Sequence, residues 1–424
     1  MTRRPANARR RTRRAAASIV ATVVCGGAFA QSANDAPNVV GIQAGWLVIA
    51  PSLTVGYAYD TNVLQLPTDA EPPPEPDEVL TLQPTLQLTI PFSNSSFRLG
   101  DVLTYVDYNH TSQTQGKTSN DVVADLTLNF GSLDQLELSA HNIAGVAQTI
   151  AFDPGGEVGF QGNSYQFHTE TVSFSRVLRG ARGYQFGLER NALRFDSSIT
   201  VNFYNSSGFE GEAAYFQPLS PNTRLAFGYL GSRYDHSDPS DPGTVTRTEN
   251  GDSVYGQIEG QLGPRQPYLL RLGWERLTFG GTDANAGGDF SGVVGQARLS
   301  AIVGGGTTFS LEAQRQPYRS YDQFNQYYVS NLIAGSVERL FLQGTSVGGS
   351  LDFSINGYSQ ASTQEDSTYY RQDRGVQLEA HANIALAKRV VFRVSLGRNR
   401  RYSNAPFANY NNTVVFGGFV LGWI

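Results

Sequence analysis

Apolar and polar side chains alternate along many segments of this chain, each of roughly ten residues. In the segment 121–130, for example, Val122, Ala124, Leu126 and Leu128 occupy every second position. Successive side chains of a β-strand point to opposite faces, so such a strand has one apolar face and one polar face. Helical periodicity is nearly absent over the 424 residues. The alternation therefore predicts an all-β fold.

The predicted connections between these strands alternate between short turns and long polar loops. Short turns are expected at residues 92–96, 131–134, 179–182, 218–222, 263–266, 303–306, 341–344 and 387–389. Long loops are expected at residues 61–77, 110–120, 149–164, 195–207, 236–252, 278–288, 316–325, 360–373 and 402–411. This rhythm is typical of a transmembrane antiparallel up-and-down β-barrel, here of about eighteen strands, with its turns in the periplasm. A soluble β-sandwich is the alternative, but it needs no such rhythm.

Residues 1–30 are predicted to be a cleaved signal peptide. They contain seven arginines and then an apolar stretch, and Ala28-Phe29-Ala30 before Gln31 fits the small-x-small cleavage pattern. The single cysteine, Cys25, lies in this segment, and a lipoprotein anchored at Cys25 is the alternative. Removing the seven arginines takes the formal net charge from −5 to about −12, so nucleic acid is not an expected partner.

The remaining chain is expected to consist of a short periplasmic lead-in, residues 31–44, and a barrel, residues 45–424, in the outer membrane of a Gram-negative bacterium. Aromatic residues on the apolar face, at the short-turn ends of strands, are expected to form a girdle at the periplasmic side of the membrane. These residues are Phe130, Tyr184, Tyr215, Tyr268, Phe309, Phe392 and Trp423. Barrel proteins commonly end in an aromatic residue that the assembly machinery recognises, and this chain departs from that pattern because Trp423 is penultimate and Ile424 is last. The barrel assembly machinery and outer-membrane lipid are expected partners of such a barrel.

The first predicted barrel strand ends in Tyr59-Asp60-Thr61-Asn62-Val63. This segment resembles a family of outer-membrane β-barrel porins that are encoded beside exopolysaccharide synthesis and export systems. The resemblance implies a role in the passage of a secreted polysaccharide, with export components as partners. It assigns Tyr59, Asp60 and Asn62 to the family motif. On the residues alone, Asp60 and Asn62 also suit a turn that caps the first strand.

Barrels of sixteen to eighteen strands leave an aqueous channel, so the polar face is expected to line a pore. The alternation assigns eleven acids and three bases to this face, and they are the predicted pore-lining residues. The acids are Asp121, Asp125, Glu137, Glu189, Glu210, Glu212, Glu259, Glu275, Glu312, Asp352 and Glu379, and the bases are Arg271, Arg298 and Arg393. This excess predicts cation preference. The alternative is that the acids only hydrate the wall or pair with nearby arginines.

Arginines also gather at the loop ends of the strands, several of them on the apolar face. Because guanidinium groups match phosphate geometry, contact with lipopolysaccharide is expected at Arg190, Arg315, Arg398 and Arg400. No catalytic residue, metal ligand or cofactor site is expected, because no serine, histidine or glycine-rich context marks one. The sequence thus predicts a pore that supports exopolysaccharide export. A small-solute porin and a structural barrel with a closed lumen remain alternatives, and an inward-folded loop would favour the closed barrel.

Overall fold

The chain folds into β-strands that pair antiparallel with their neighbours in sequence. The computed structural model describes residues 41–422, except 64–65, 69, 71–72, 111–116, 146–163, 179, 196–203, 282–287, 321–324, 342–343, 365–366 and 406–407. The predicted signal peptide with Cys25, most of the lead-in, Trp423 and Ile424 therefore lie outside the described residues. Within the described part, no helix is long and apolar enough to cross a membrane.

Nineteen strands make up one sheet. They are β1 (Ile42–Ala44), β2 (Leu47–Asp60), β3 (Asp77–Phe92), β4 (Ser95–Tyr108), β5 (Lys117–Phe130), β6 (Asp134–Gly145), β7 (Tyr165–Val177), β8 (Gly183–Phe195), β9 (Asn205–Ser220), β10 (Thr223–Asp238), β11 (Asp241–Gln261), β12 (Pro267–Gly281), β13 (Phe290–Val303), β14 (Thr307–Arg319), β15 (Tyr327–Leu340), β16 (Ser346–Gln364), β17 (Ser367–Ala387), β18 (Val390–Ser403) and β19 (Tyr410–Gly422). The eight predicted short turns all lie between consecutive strands of this series.

The sheet closes on itself because the last strand pairs with the first long one. β19 pairs with β2 from Val414 opposite Asp60 to Gly422 opposite Ser52, while the other edge of β2 pairs with β3. Strands β2–β19 therefore form a closed antiparallel barrel of 18 strands, as the loop rhythm predicts. The short β1 lies outside this ring and pairs with Leu47–Ile49 of β2, on the edge that β19 leaves unpaired.

The predicted loops at 236–252 and 360–373 are wrong. β10 and β11 stay paired as far as Asp238 opposite Asp241, and β16 and β17 as far as Gln364 opposite Ser367. Both segments are long paired extensions of their strands. Their sequence is polar because these strand ends extend beyond the apolar belt, where a strand needs no apolar face, so alternation could not separate them from loops.

The outer face of the barrel is a continuous apolar belt. Its side chains alternate with buried or half-buried ones along each strand: Val254 on β11 is 57% exposed, whereas the next residue, Tyr255, is 9% exposed. Leu188, Phe227, Leu272, Ile333 and Leu396 are among the many large apolar side chains left exposed. Soluble monomers rarely expose apolar surface on this scale, so this belt faces lipid and the barrel spans a membrane.

The Tyr59–Val63 segment joins the first and last barrel strands at their loop end. The Asp60 carboxylate accepts a hydrogen bond from the Asn62 backbone N–H (2.8 Å), and Thr61 Oγ1 accepts one from the Thr413 backbone N–H (2.8 Å). Asn62 is 2% exposed, and its amide donates to the carbonyl of Leu66 (2.8 Å). Asp60 and Asn62 therefore cap the strand end and hold the barrel seam, which is the alternative that the residues alone allow.

Candidate functional site

The inner face of the barrel is polar and charged. Directly opposite residues of an antiparallel pair share a face, so the strand registers assign each side chain to the lumen or to the lipid. The registers place all the predicted pore-lining residues on the inner face, opposite the apolar belt: Asp121, Asp125, Glu137, Glu189, Glu210, Glu212, Glu259, Arg271, Glu275, Arg298, Glu312, Asp352, Glu379 and Arg393.

Many of these acids pair with bases on neighbouring strands. Asp125 lies 2.6 Å from Arg98, and Glu312 lies 3.0 Å from Arg298. Further contacts join Asp121 to His141, Glu212 to Arg271, Glu259 to Arg224 and Glu379 to Arg393. The alternation did not single out Arg98 or Arg224, although both lie at inward positions. The lumen is therefore less acidic than the predicted ratio of eleven acids to three bases.

Five of the inward acids form no ion pair within the part of the chain that the structure describes. Glu137 and Glu189 are held by hydroxyl or amide groups, and Glu210, Glu275 and Asp352 have no basic side chain within ion-pair distance there. Glu189 and Glu210 lie directly opposite each other on β8 and β9. Two acidic side chains are therefore adjacent on one side of the lumen.

The outer end of the β14–β15 hairpin turns into the lumen. Arg247, on the inner face of β11, donates hydrogen bonds to the carbonyls of Ser320 (2.6 Å) and Asn325 (2.6 Å). Since β12 and β13 separate β11 from β14 in the sheet, these contacts span the inside of the barrel mouth. Tyr327 of the same hairpin packs on the inward ring of Phe290, with 5.5 Å between ring centroids. We call residues 319–320 and 325–327 the inward hairpin.

Arg319, in the inward hairpin, reaches along the inner face to strands β10 and β11. Its guanidinium carbon lies 3.3 Å from the ring centre of Tyr234 on β10, and its Nε lies 3.8 Å from the carboxylate of Glu249 on β11. The alternation along β14 would put Arg319 on the outer face with Arg315, and it fails because the hairpin end bends. Glu210 and Glu275 also lie within electrostatic range of Arg319. Arg319 and Arg247 thus stand among several acidic side chains at this mouth.

The arginines expected to contact lipopolysaccharide lie on the outer face. Three of them lie six residues beyond a girdle aromatic on the same strand, so they reach a common height: Arg190 beyond Tyr184, Arg315 beyond Phe309 and Arg398 beyond Phe392. Arg400 is two residues further along β18. Arg190 lies 3.4 Å from Glu170, and Arg315 donates a hydrogen bond to Asn331 (2.7 Å), so both also have neighbours within the chain.

Solved structures similar to this chain are membrane barrels. OpdK from Pseudomonas aeruginosa, solved with vanillate, is 12% identical over 88% of this chain and 99% of that chain, with a TM-score of 0.49. The siderophore receptor PirA from Pseudomonas aeruginosa is 11% identical over 89% of this chain and 80% of that chain, with a TM-score of 0.44. No protein-family model and no curated protein matches the chain. Similarities this distant support no conclusion about function.

Replacing Arg247 by alanine is expected to release the inward hairpin and raise single-channel conductance in planar bilayers. Each hydrogen bond from a charged donor contributes about 1.5–3 kcal/mol, so losing either bond raises the released population about tenfold or more. Arg233→Ala is the matched control, because Arg233 lies on the adjacent strand with 70% of its side chain exposed. A folded Arg247→Ala barrel with unchanged conductance would contradict this role.

Proposed function

We propose that this barrel is a diffusion channel for small solutes in the outer membrane of a Gram-negative bacterium, and that it prefers cations. The observation that supports this most directly is the set of inward acids that form no ion pair in the described part of the chain, above all Glu210 and Glu275, which outnumber the nearby Arg319. Rings and clusters of carboxylates in a pore lower the energy of a passing cation and raise that of an anion.

The inward hairpin supports small solutes over a polymer. It narrows the loop-side mouth and is fixed there by two hydrogen bonds from Arg247. A threaded polymer chain would have to displace this hairpin, whereas a small hydrated ion passes beside it. An inward-folded segment was also the feature expected of a closed structural barrel, and conductance measurements separate these two functions.

Support for exopolysaccharide export is the second candidate function. It depends on the resemblance of the segment at Tyr59, Asp60 and Asn62, and these residues hold the seam that any closed barrel needs. A neutral or cationic polymer fits the acidic lumen better than an acidic one, because like charges repel.

We also propose that the arginines on the outer face contact lipopolysaccharide. Arg190, Arg315, Arg398 and Arg400 lie on the outer face in the loop-side half of the apolar belt, from which long side chains can extend to phosphate groups of the outer leaflet.

Cation preference is tested by the reversal potential across a KCl gradient. We expect the wild-type pore to favour K⁺, and the double variant Glu210→Gln, Glu275→Gln to lower the permeability ratio by about fivefold, since a unit charge 4 Å from an ion contributes about 1 kcal/mol even in bulk water. The control variant Glu170→Gln, on the outer face, should leave the permeability ratio unchanged. An anion-selective wild-type pore would refute the charge assignment.

The export role is tested by deleting the gene and measuring secreted polymer. If the chain is an exporter, the deletion strain should lose secreted polymer, and expression of the Arg247→Ala variant in that strain should restore secretion. Small-solute uptake should be unaffected by the deletion. Normal secretion from the deletion strain would count against export.

Lipopolysaccharide contact is tested by native mass spectrometry of the purified barrel. Replacing Arg190, Arg315, Arg398 and Arg400 together by glutamine should reduce bound lipopolysaccharide by about tenfold or more, because charge-assisted contacts contribute about 1.5–3 kcal/mol each. Arg265→Gln, at a periplasmic turn, is the control. Equal retention by both variants would exclude these arginines as the contact.

A further inference from the structure

Asp101 places an acidic side chain on the lipid-facing side of the barrel wall, within the apolar belt. Asp101 on β4 is directly opposite Leu86 of β3 and Val122 of β5, and both neighbours belong to the apolar belt. Arg98 and Thr104 of the same strand mark its inner face, through their bonds to Asp125 and Gln83. Asp101 is an odd number of residues away from both, so its side chain points to the other face of the strand, outwards.

Its height places it in the middle of the hydrocarbon. On the outer face of β4, Asp101 lies four residues above Phe97 and four below Tyr105, and aromatic side chains mark the membrane interfaces of such barrels. Four residues beyond the girdle aromatics Tyr184, Tyr268 and Phe392, the corresponding strands have leucines that are 50–58% exposed: Leu188, Leu272 and Leu396. β4 thus has a carboxyl group where its counterparts have a leucine.

One oxygen of this carboxyl group is left without a hydrogen bond in the described part of the chain. Asp101 Oδ1 is buried and has no hydrogen-bond partner there. Ionisable groups inside membranes are costly, and they almost always pair with another polar group. A donor that reaches Asp101 from the lipid side has to come from another molecule.

The surface beside Asp101 contains small residues and a suitable donor. Ala124 on β5 and Ala140 on β6 face outwards and, like Asp101, lie six residues from the periplasmic ends of their strands, so the three residues share one height. Asn142, the next outward residue of β6, has an exposed side-chain amide. Small residues let two membrane surfaces approach closely, and polar side chains then bond across the contact.

We propose that this face, formed by Asp101, Ala124, Ala140 and Asn142, binds a second copy of this chain. A two-fold axis along the membrane normal through Ala124 sets β4 of each copy against β6 of the other. Asp101 then faces Ala140, whose short side chain leaves room, and the amide of Asn142 donates to the carboxyl group. Both copies gain the same pair of contacts, as an isologous interface requires. The face contains both acceptor and donor, which is why a copy of the chain suits it better than an unrelated partner.

A cysteine at the axis tests the contact directly in membranes. The chain has no cysteine after Cys25, so Ala124→Cys would be the only thiol of the barrel. Oxidation of cell envelopes should link it into a disulfide-bonded dimer of this chain. Leu272→Cys, at the same height on β12, should stay monomeric. No linked product from Ala124→Cys, or a product that contains a different protein, would overturn the proposal.

The second measurement is the oligomeric state of barrels reconstituted in lipid nanodiscs, by mass photometry. Asp101→Leu should lower the dimer fraction by about tenfold or more, because two polar contacts are lost from each dimer. Asp101→Asn retains a carbonyl acceptor and should remain dimeric. Asp107→Leu, an outward aspartate at the loop end of β4, is the control. Heat-modifiable migration shows that each variant is folded, and an Asp101→Leu barrel that stays dimeric would refute the interface.

Discussion

The pairing of β19 with β2 is the contact on which the rest of the molecule depends. In hydrocarbon an unpaired backbone N–H or C=O costs several kcal/mol, so a sheet survives there only when it has no open edge. Closing the sheet also gives the chain two environments, one of lipid and one of water, and the alternating side chains are sorted between them. The hydrogen bonds among Asp60, Thr61, Asn62 and Thr413 fix this seam at the loop end.

The fold could be predicted almost completely from the sequence, because alternation and loop rhythm report a local property repeated in every strand. The two wrongly predicted loops, at 236–252 and 360–373, lie where the alternation of apolar and polar side chains ends. The extensions of β10–β11 and β16–β17 rise beyond the apolar belt, so their polar sequence is compatible with both loop and strand. Strand order follows from the hairpin connections, and closure is compatible with the even number of predicted strands. The extra strand β1 is only three residues long, too short to show an alternation.

The lumen was harder to predict than the wall. Alternation assigns a side chain to a face, and all the predicted inward residues lie on that face, but it does not show which charges meet. The contacts of Asp125 with Arg98 and of Glu259 with Arg224 depend on register between strands. Arg319 reaches Tyr234 because a hairpin bends across the mouth, which is a tertiary event without a local signal. Charge balance inside a barrel is therefore decided by register and bending as much as by composition.

The short β1 has a consequence for how the barrel behaves beside other proteins. In the described residues β19 pairs with β2 only as far as Ser52, so β19 leaves Leu47–Pro51 of β2 without a partner at the seam. Such an edge is a template on which a foreign strand can add. By folding back on Leu47–Ile49, the chain supplies its own cover. The chain therefore covers this edge of the barrel itself, and the covered edge resists fraying and pairing with foreign strands.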